Sequence, residues 1–228
     1  MSSDHPVARL IASYASGDVL PPDGSWQRVE PWRPHLEAVV AFTGRAVLAI
    51  SPGVTDDELV ALGVDGFGGA HDPRLIAALA GPGAWIDSLD ALLVGRGTAT
   101  AGAPSRLVAR PDLRTHPRAR LAADLRDDVE VLGRPDDTDS TVVTLARGVG
   151  GLRELSLEVD PARRGGSGAS LVHDALAAVP AGELVVAAVA PGNAASLRAV
   201  LSAGFTPVGS MQLFRRDTRA GHPASGTR

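Results

Sequence analysis

The chain has 228 residues, a formal net charge of -4, and 44% hydrophobic against 21% charged residues, the profile of a globular protein rather than a disordered or fibrous one. Its slight acidity gives no long-range attraction to nucleic acid or anionic lipid, so any anion binding has to be local. The absence of cysteine excludes disulfides, thiolate metal sites and a cysteine nucleophile.

Met1 to Pro6 are polar, without the basic segment and apolar run of a signal peptide. No apolar stretch approaches the roughly 20 residues needed to span a bilayer. A cytoplasmic protein with neither membrane nor nucleic-acid partner is the expectation. Residues 1–35 hold scattered Pro, Gly and Asp and only a short helical pattern at Val7 to Tyr14, which suggests a loosely packed N-terminal arm. From Leu36 to Ile50 two apolar runs flank Thr43-Gly44 and predict a hairpin. Thr55 with Glu58 fits a capping box for a helix through Leu62. Asp72-Pro73, closed by Gly81, marks a helix from Pro73 to Ala80.

Trp85 to Val94 reads as a strand, and the Gly, Ala, Thr and Pro of Gly95 to Ser105 as a linker. That linker divides an α/β region at 36–104 from a second domain at 105–216, with a disordered tail at 217–228. In the second domain a short strand at Arg106 to Ala109 precedes a helix at Pro117 to Arg126. Strands follow at Val129 to Leu132, Thr141 to Arg147 and Leu152 to Val159. A helix from about Gly168 to Val179, a strand buried on both faces at Leu184 to Val189 and a helix at Asn193 to Ala203 come next. A strand pair at Pro207 to Arg216 closes the domain. The fold class is α/β with a mixed sheet.

The most informative stretch is Val159-Asp160-Pro161-Ala162-Arg163-Arg164-Gly165-Gly166-Ser167-Gly168-Ala169, between a strand and a helix. Such a loop turns backbone N–H groups toward one point, where the helix N-terminus adds partial positive charge, so a phosphate is a natural occupant. Gly166 and Gly168 would allow close approach of a diphosphate and positive φ, and Arg163 and Arg164 would add charge-assisted contacts. A plain strand-to-helix turn uses the same residues. The P-loop string is absent, the dinucleotide fingerprint is absent from this loop, and the chain contains no lysine for a Schiff base.

Arg163-Arg164-Gly165-Gly166-Ser167-Gly168 resembles the [QR]-x-x-G-x-[GA] pyrophosphate loop of the GNAT acyltransferase superfamily, preceded by a V-x-P at Val159-Asp160-Pro161 whose proline lies one residue closer to the loop than usual. Downstream, Asn193-Ala194-Ala195-Ser196 opens a helix running into Gly204-Phe205, similar to the family's N-x-x-[AS] helix ending in G-F. The resemblance covers about residues 105–216.

It implies a GNAT-like fold there, acetyl-CoA as co-substrate without a metal, and an amine on a small molecule or peptide as acceptor. It is compatible with a homodimer. By position, Leu157, Glu158 and Val159 fall on the splayed strand that pairs with the pantetheine arm. Arg163, Arg164, Gly165, Gly166, Ser167, Gly168 and Ala169 fall on the pyrophosphate cradle, and Asn193 and Ser196 beside the cofactor. Asn193 is equally a good helix N-cap.

A carboxylate near the cofactor strand is needed to deprotonate the amine. Glu154 and Glu158, four apart on one strand, share a face. The resemblance favours Glu154, and cross-strand pairing with arginines is the structural alternative for both. Val200 stands where many members have a tyrosine that protonates the leaving thiolate, and the one tyrosine of the chain is Tyr14. A catalytically impaired acyl-CoA-binding or regulatory module is therefore the alternative function. Residues 36–104 are expected to supply part of the acceptor site, as a partial or diverged copy of the same fold. The six histidines read as surface or capping residues.

Overall fold

The computed structural model describes residues 4–100, 102, 105–136 and 138–216. The expected tail at 217–228 lies outside them, as do three residues of the expected linker. The first helix, α1 (Pro6–Ala15), starts at a proline whose missing N–H suits the first turn, behind His5, whose Nδ1 accepts the Val7 N–H at 3.2 Å. Val7, Ala8 and Ile11 are buried on one face, so this part of the expected loose arm is packed. The arm also contains an unexpected strand, β1 (Trp26–Val29), set among turn-forming residues that hide its short apolar pattern.

The hairpin forms as β2 (Glu37–Phe42) and β3 (Arg45–Ala49) around Thr43-Gly44. The capping box at α2 (Asp56–Ala61) is present in both directions between Thr55 and Glu58, and Asp72 caps α3 (Pro73–Ala80). The strand expected over Trp85 to Val94 is broken into β4 (Trp85–Ile86) and β5 (Asp90–Arg96). Between them the Asp87 carboxylate accepts the Ser88 N–H and the Ser88 hydroxyl donates to Asp90, local bonds that compete with a ladder.

Next come β6 (Val108–Ala109), α4 (Pro117–Leu125), β7 (Asp127–Gly133), β8 (Val142–Arg147), β9 (Arg153–Glu158), α5 (Ser167–Leu176), β10 (Leu184–Val189) and α6 (Ala194–Ser202). A single ten-residue strand, β11 (Thr206–Arg215), stands where a strand pair was expected. Gly209, inside this strand, lies against the Ala41 carbonyl: a Cβ there would come within 2.1 Å of that oxygen. The glycine permits close strand approach, not a turn.

The chain divides into two compact units, Met1–Val19 with Ala91–Val208 and Leu20–Asp90 with Gly209–Arg228. This differs from a division at residue 104, because β5 pairs antiparallel with β10 over Ala91 to Arg96 and so belongs with the later strands. In the first unit the strand order is β5-β10-β9-β8-β7-β6, and every neighbouring pair is antiparallel except β10 with β9. Leu93, Val143, Leu145, Leu155, Val185 and Ala187 pack with Leu171, Val172, Ala175 and Leu176 of α5. Each fully buried aliphatic side chain of this kind stabilises by about 1.5–3 kcal/mol. The opposite face of β8 and β9 carries Thr144, Ala146, Glu154, Ser156 and Glu158, and α4 packs by these strands.

In the second unit the order is β1-β3-β2-β11, with β4 on β11 and only β1 with β3 parallel. Its core joins Val39, Leu48, Ile50, Leu59, Leu75, Ile76 and Phe214. Among the described residues its β3-to-α2 connection closes on the Thr55 cap, so the glycine-rich loop between β9 and α5 is not repeated there. The chain is thus a mixed α/β protein with mostly antiparallel strands. No helix among the described residues is long and apolar enough to cross a membrane.

Candidate functional site

Parallel pairing of β10 with β9 covers only Val185 with Arg153 and Val186 with Glu154. Beyond that point β9 runs on to Glu158 with β8 as its partner, while β10 runs on to Val189 beside β5. The two strands part, and the edge of β9 from Leu155 onward has backbone groups without a β10 partner. Alternate residues of such an edge point their N–H and C=O outward, ready for an extended ligand.

Next to this gap lies a cleft of about 720 Å³, within the roughly 300–1,000 Å³ usual for small-molecule sites. Its walls include Leu157, Glu158 and Val159 at the end of β9, Arg164 to Ala169 on the loop and first turn of α5, and Asn193 and Ser196 at the start of α6. Of the residues expected to be catalytic or to contact the cofactor, all line the cleft except Glu154 and Arg163.

The loop is shaped by two glycines. Gly165 and Gly166 have φ of 119° and 126°, and a Cβ on either would meet nothing within 4 Å. They present bare backbone to open space in a conformation that suits glycine. Gly166 is also the N-cap of α5, which has no side-chain cap, whereas every other α-helix described here is capped by a side chain. The first N–H groups of α5 and its partial positive charge are thus open to an anion. Gly168 lines the cleft without the positive φ expected of it, and its Cβ would come 3.0 Å from Ala199 Cβ, so it also allows α5 and α6 to pack closely.

Arg163 turns away from the cleft. Its Nη2 donates to Asp136 Oδ2 at 2.7 Å and its Nε lies 3.2 Å from Asp139 Oδ2. Arg164 lies on the cleft, its Nε 3.5 Å from the Val159 carbonyl. Two further arginines line it, Arg118 of α4 and Arg198 of α6. Arg198 belongs to a stripe of Ala195, Arg198, Ala199 and Ser202 at i, i+3, i+4 and i+7 from Ala195. That spacing was visible in the sequence and could have flagged it. Nothing in the local sequence flagged Arg118. Neither Arg164 nor Arg198 has an ion pair among the described residues.

The two candidate carboxylates separate. Glu158 lines the cleft, half-exposed, with Arg118 Nε 3.8 Å from its Oε2. Glu154 is buried beside the point where β9 and β10 part. Its Oε1 accepts from Arg126 Nη2 at 2.5 Å and its Oε2 from the Val149 N–H at 3.2 Å. It does not line the cleft.

Asn193 Oδ1 accepts the Ser196 N–H at 3.1 Å and caps α6, as its N-cap character implies, and the residue also lines the cleft. Val200 is buried in the core of the first unit, and Tyr14 is not on the cleft wall. Among the described residues no three His, Asp or Glu side chains cluster to hold a metal ion. Asp160, at the entry to the loop, has its carboxyl held below the usual range chiefly by the Ser140 hydroxyl, then by backbone N–H groups of Ala162 and Ser140. Two histidines cap helices as expected, His5 on α1 and His116 on α4. His71 does not: its ring nitrogens are buried and reach no hydrogen-bond partner among the described residues.

No protein-family model matches the sequence, and no curated protein matches it. Solved structures that the chain resembles include a GNAT-family protein from Novosphingobium aromaticivorans, 21% identical with a TM-score of 0.41 over 60% of this chain and 69% of that one. They also include a conserved protein of unknown function from Staphylococcus epidermidis, 14% identical with a TM-score of 0.39 over 64% and 67%. A third is a GCN5-related N-acetyltransferase from Kribbella flavida, 14% identical with a TM-score of 0.37 over 62% of each chain.

Proposed function

We propose that the chain transfers an acetyl group from acetyl-CoA to an amine of a small molecule or peptide, in the GNAT manner. The observation that carries this reading is the convergence of the uncapped N-terminus of α5, the Gly165-Gly166 backbone and the unpartnered edge of β9 on one cleft. A diphosphate fits the open N–H groups of α5, with Arg164 and Arg198 as local cations. An amide-bearing arm fits the edge of β9 at Leu157 to Val159, where strand-like hydrogen bonds are available. The thioester, when bound, supplies an activated acyl carbon. Glu158, directly or through a water, takes the proton of the attacking amine, while buried Glu154 orders the strand through Arg126. Outward N–H groups of β9 meet the charge developing on the acyl oxygen, and collapse of the tetrahedral adduct breaks the C–S bond and releases CoA as a thiolate that takes its proton from solvent.

Calorimetric titration with acetyl-CoA and with CoA tests the site. Replacing Gly166 by Val strains a φ of 126° and fills the cradle, and affinity should fall about tenfold or more. No binding to the folded wild-type protein at millimolar ligand would refute the proposal.

One observation favours a second reading, an acyl-CoA-binding or regulatory module with impaired turnover. Val200 is buried apolar core at the position of the family's tyrosine, and no tyrosine lines the cleft. Tight acetyl-CoA binding with no release of free thiol across a broad panel of amines would establish that reading instead.

A further inference from the structure

The ligand-binding loop is gripped from outside the cleft by the connection between β7 and β8. Asp160 Oδ2 accepts from the Ser140 N–H at 3.1 Å and from its hydroxyl at 2.6 Å, and the Asp160 N–H donates to Thr141 Oγ1 at 3.0 Å. Three residues on, Arg163 is held by Asp136 and Asp139, and the Ser167 hydroxyl ties the first turn of α5 to the Arg163 carbonyl at 2.9 Å. The β7–β8 connection thus fixes both ends of the segment from Asp160 to Arg163.

That connection is itself held by one buried side chain. Arg110 Nη1 donates to the carbonyls of Arg134, Asp136 and Asp139 at 3.1, 2.9 and 3.2 Å. Its Nε and Nη2 grip the Asp112 carboxylate at 2.6–3.0 Å. The stem of Arg110 passes Gly133, where a Cβ would come 3.1 Å from its Cγ. A planar guanidinium is needed here, with its two Nη1 hydrogens shared among three carbonyls and its Nε–Nη2 edge on a carboxylate.

We infer that Arg110 is a positioning residue for the phosphate-bearing part of the ligand: it fixes the backbone at Arg134, Asp136 and Asp139, which through Asp136, Asp139, Ser140 and Thr141 sets the geometry of Asp160 to Ser167. The inference rests on the acyl-CoA reading of the cleft but assigns a residue that does not touch it. Displacement of Asp136 and Asp139 lets the loop relax and weakens diphosphate binding, while the edge of β9, which holds the arm, is built by other contacts.

The test compares the affinities of CoA and of pantetheine, which lacks the phosphates, in the full-length protein. In Arg110→Met the CoA affinity should fall about tenfold or more, as a misplaced binding group costs, and the gap between CoA and pantetheine should narrow by that factor. Arg110→Lys should fall between the two, since an ammonium serves the carbonyls or Asp112 but not both. Should Arg110→Met fail to fold, Arg163→Gln, at a half-exposed side chain, cuts the same clamp at its other end and should narrow the gap likewise. Equal losses for CoA and pantetheine, or no loss of CoA affinity, would overturn the inference while leaving the cleft reading intact. A wild-type protein that binds neither ligand would overturn both.

Discussion

Replacing Arg126 by Met separates a structural from a catalytic role for Glu154. The substitution removes the guanidinium that meets Glu154 Oε1 at 2.5 Å and leaves a carboxylate whose side chain is 5% exposed with the Val149 N–H as its one described donor. The site cannot admit much relief, since the Glu154 oxygen occupies the space that a Cβ on Gly148 would need, 1.8 Å away. Breaking a buried pair from one side costs about 3–5 kcal/mol. Arg126 retains 12% exposure and other contacts, so the lower end applies. A loss of about 3 kcal/mol corresponds to a fall in Tm of roughly 6–12 °C for a chain of this size. Urea unfolding of Arg126→Met, Glu154→Leu and the double variant closes the cycle, and the double variant should recover to within about 1 kcal/mol of wild type. If the protein transfers acetyl groups as proposed, Glu154→Gln, measured per folded molecule, should retain most of the activity, whereas Glu158→Gln should lose about 100-fold. If Arg126→Met is as stable as wild type, or Glu154→Gln abolishes transfer without loss of stability, the structural assignment of Glu154 is wrong.

Burial pushes the His71 imidazole below its ordinary value, with the Ser210 backbone acting weakly the other way without reaching hydrogen-bond geometry. The folded state therefore prefers neutral His71. Its contribution is complete above about pH 6.5 and is lost as pH falls through the depressed folded value. Unfolding followed between pH 7 and 5 should show stability decreasing toward acid, and His71→Gln should flatten that slope; an unchanged slope refutes it. Gly168→Val should destabilise by about 1–3 kcal/mol through contact with Ala199, and any loss of CoA affinity should follow the α5–α6 displacement rather than a filled cradle. A Gly168→Val protein as stable as wild type would contradict the packing role.

What was legible in the sequence lies within about ten residues of itself. The capping box at Thr55 and Glu58, the Pro-initiated helices, the hairpin at Thr43-Gly44 and the bare glycine turn before α5 are each specified by local backbone demands, and the structure has them. Illegible features were decided across longer separations. Arg163 and Arg164 are adjacent and chemically alike, and only the acids of the β7–β8 connection, 27 residues away for Asp136, draw one of them off the cleft. Glu154 and Glu158 share a strand face, and Arg126, 28 residues from Glu154, turns the first into a structural ion pair. The packed arm was missed because Val7, Ala8 and Ile11 make a stripe of only three residues.

The overall charge, -4, argues against anion binding only if charges act at long range. At physiological ionic strength screening sets in over about 8 Å, so a ligand in the cleft experiences mainly the cleft's own groups. Those are three arginines, one glutamate and the open end of α5. The acids nearest the loop, Asp136, Asp139 and Asp160, do not line the cleft. Asp136 and Asp139 share the one Arg163 guanidinium, and the Asp160 carboxylate is turned to the Ser140 hydroxyl and the Ala162 N–H. Removing Arg163 from the cleft thus costs the site one cation and offsets one of the two acids that it clamps. Arg164 and Arg198, which have no carboxylate partner among the described residues, remain to meet a polyanion. An acidic chain can in this way present a locally basic cleft, and the choice of which arginine faces the ligand is made by the loop's scaffold rather than by the loop's own sequence.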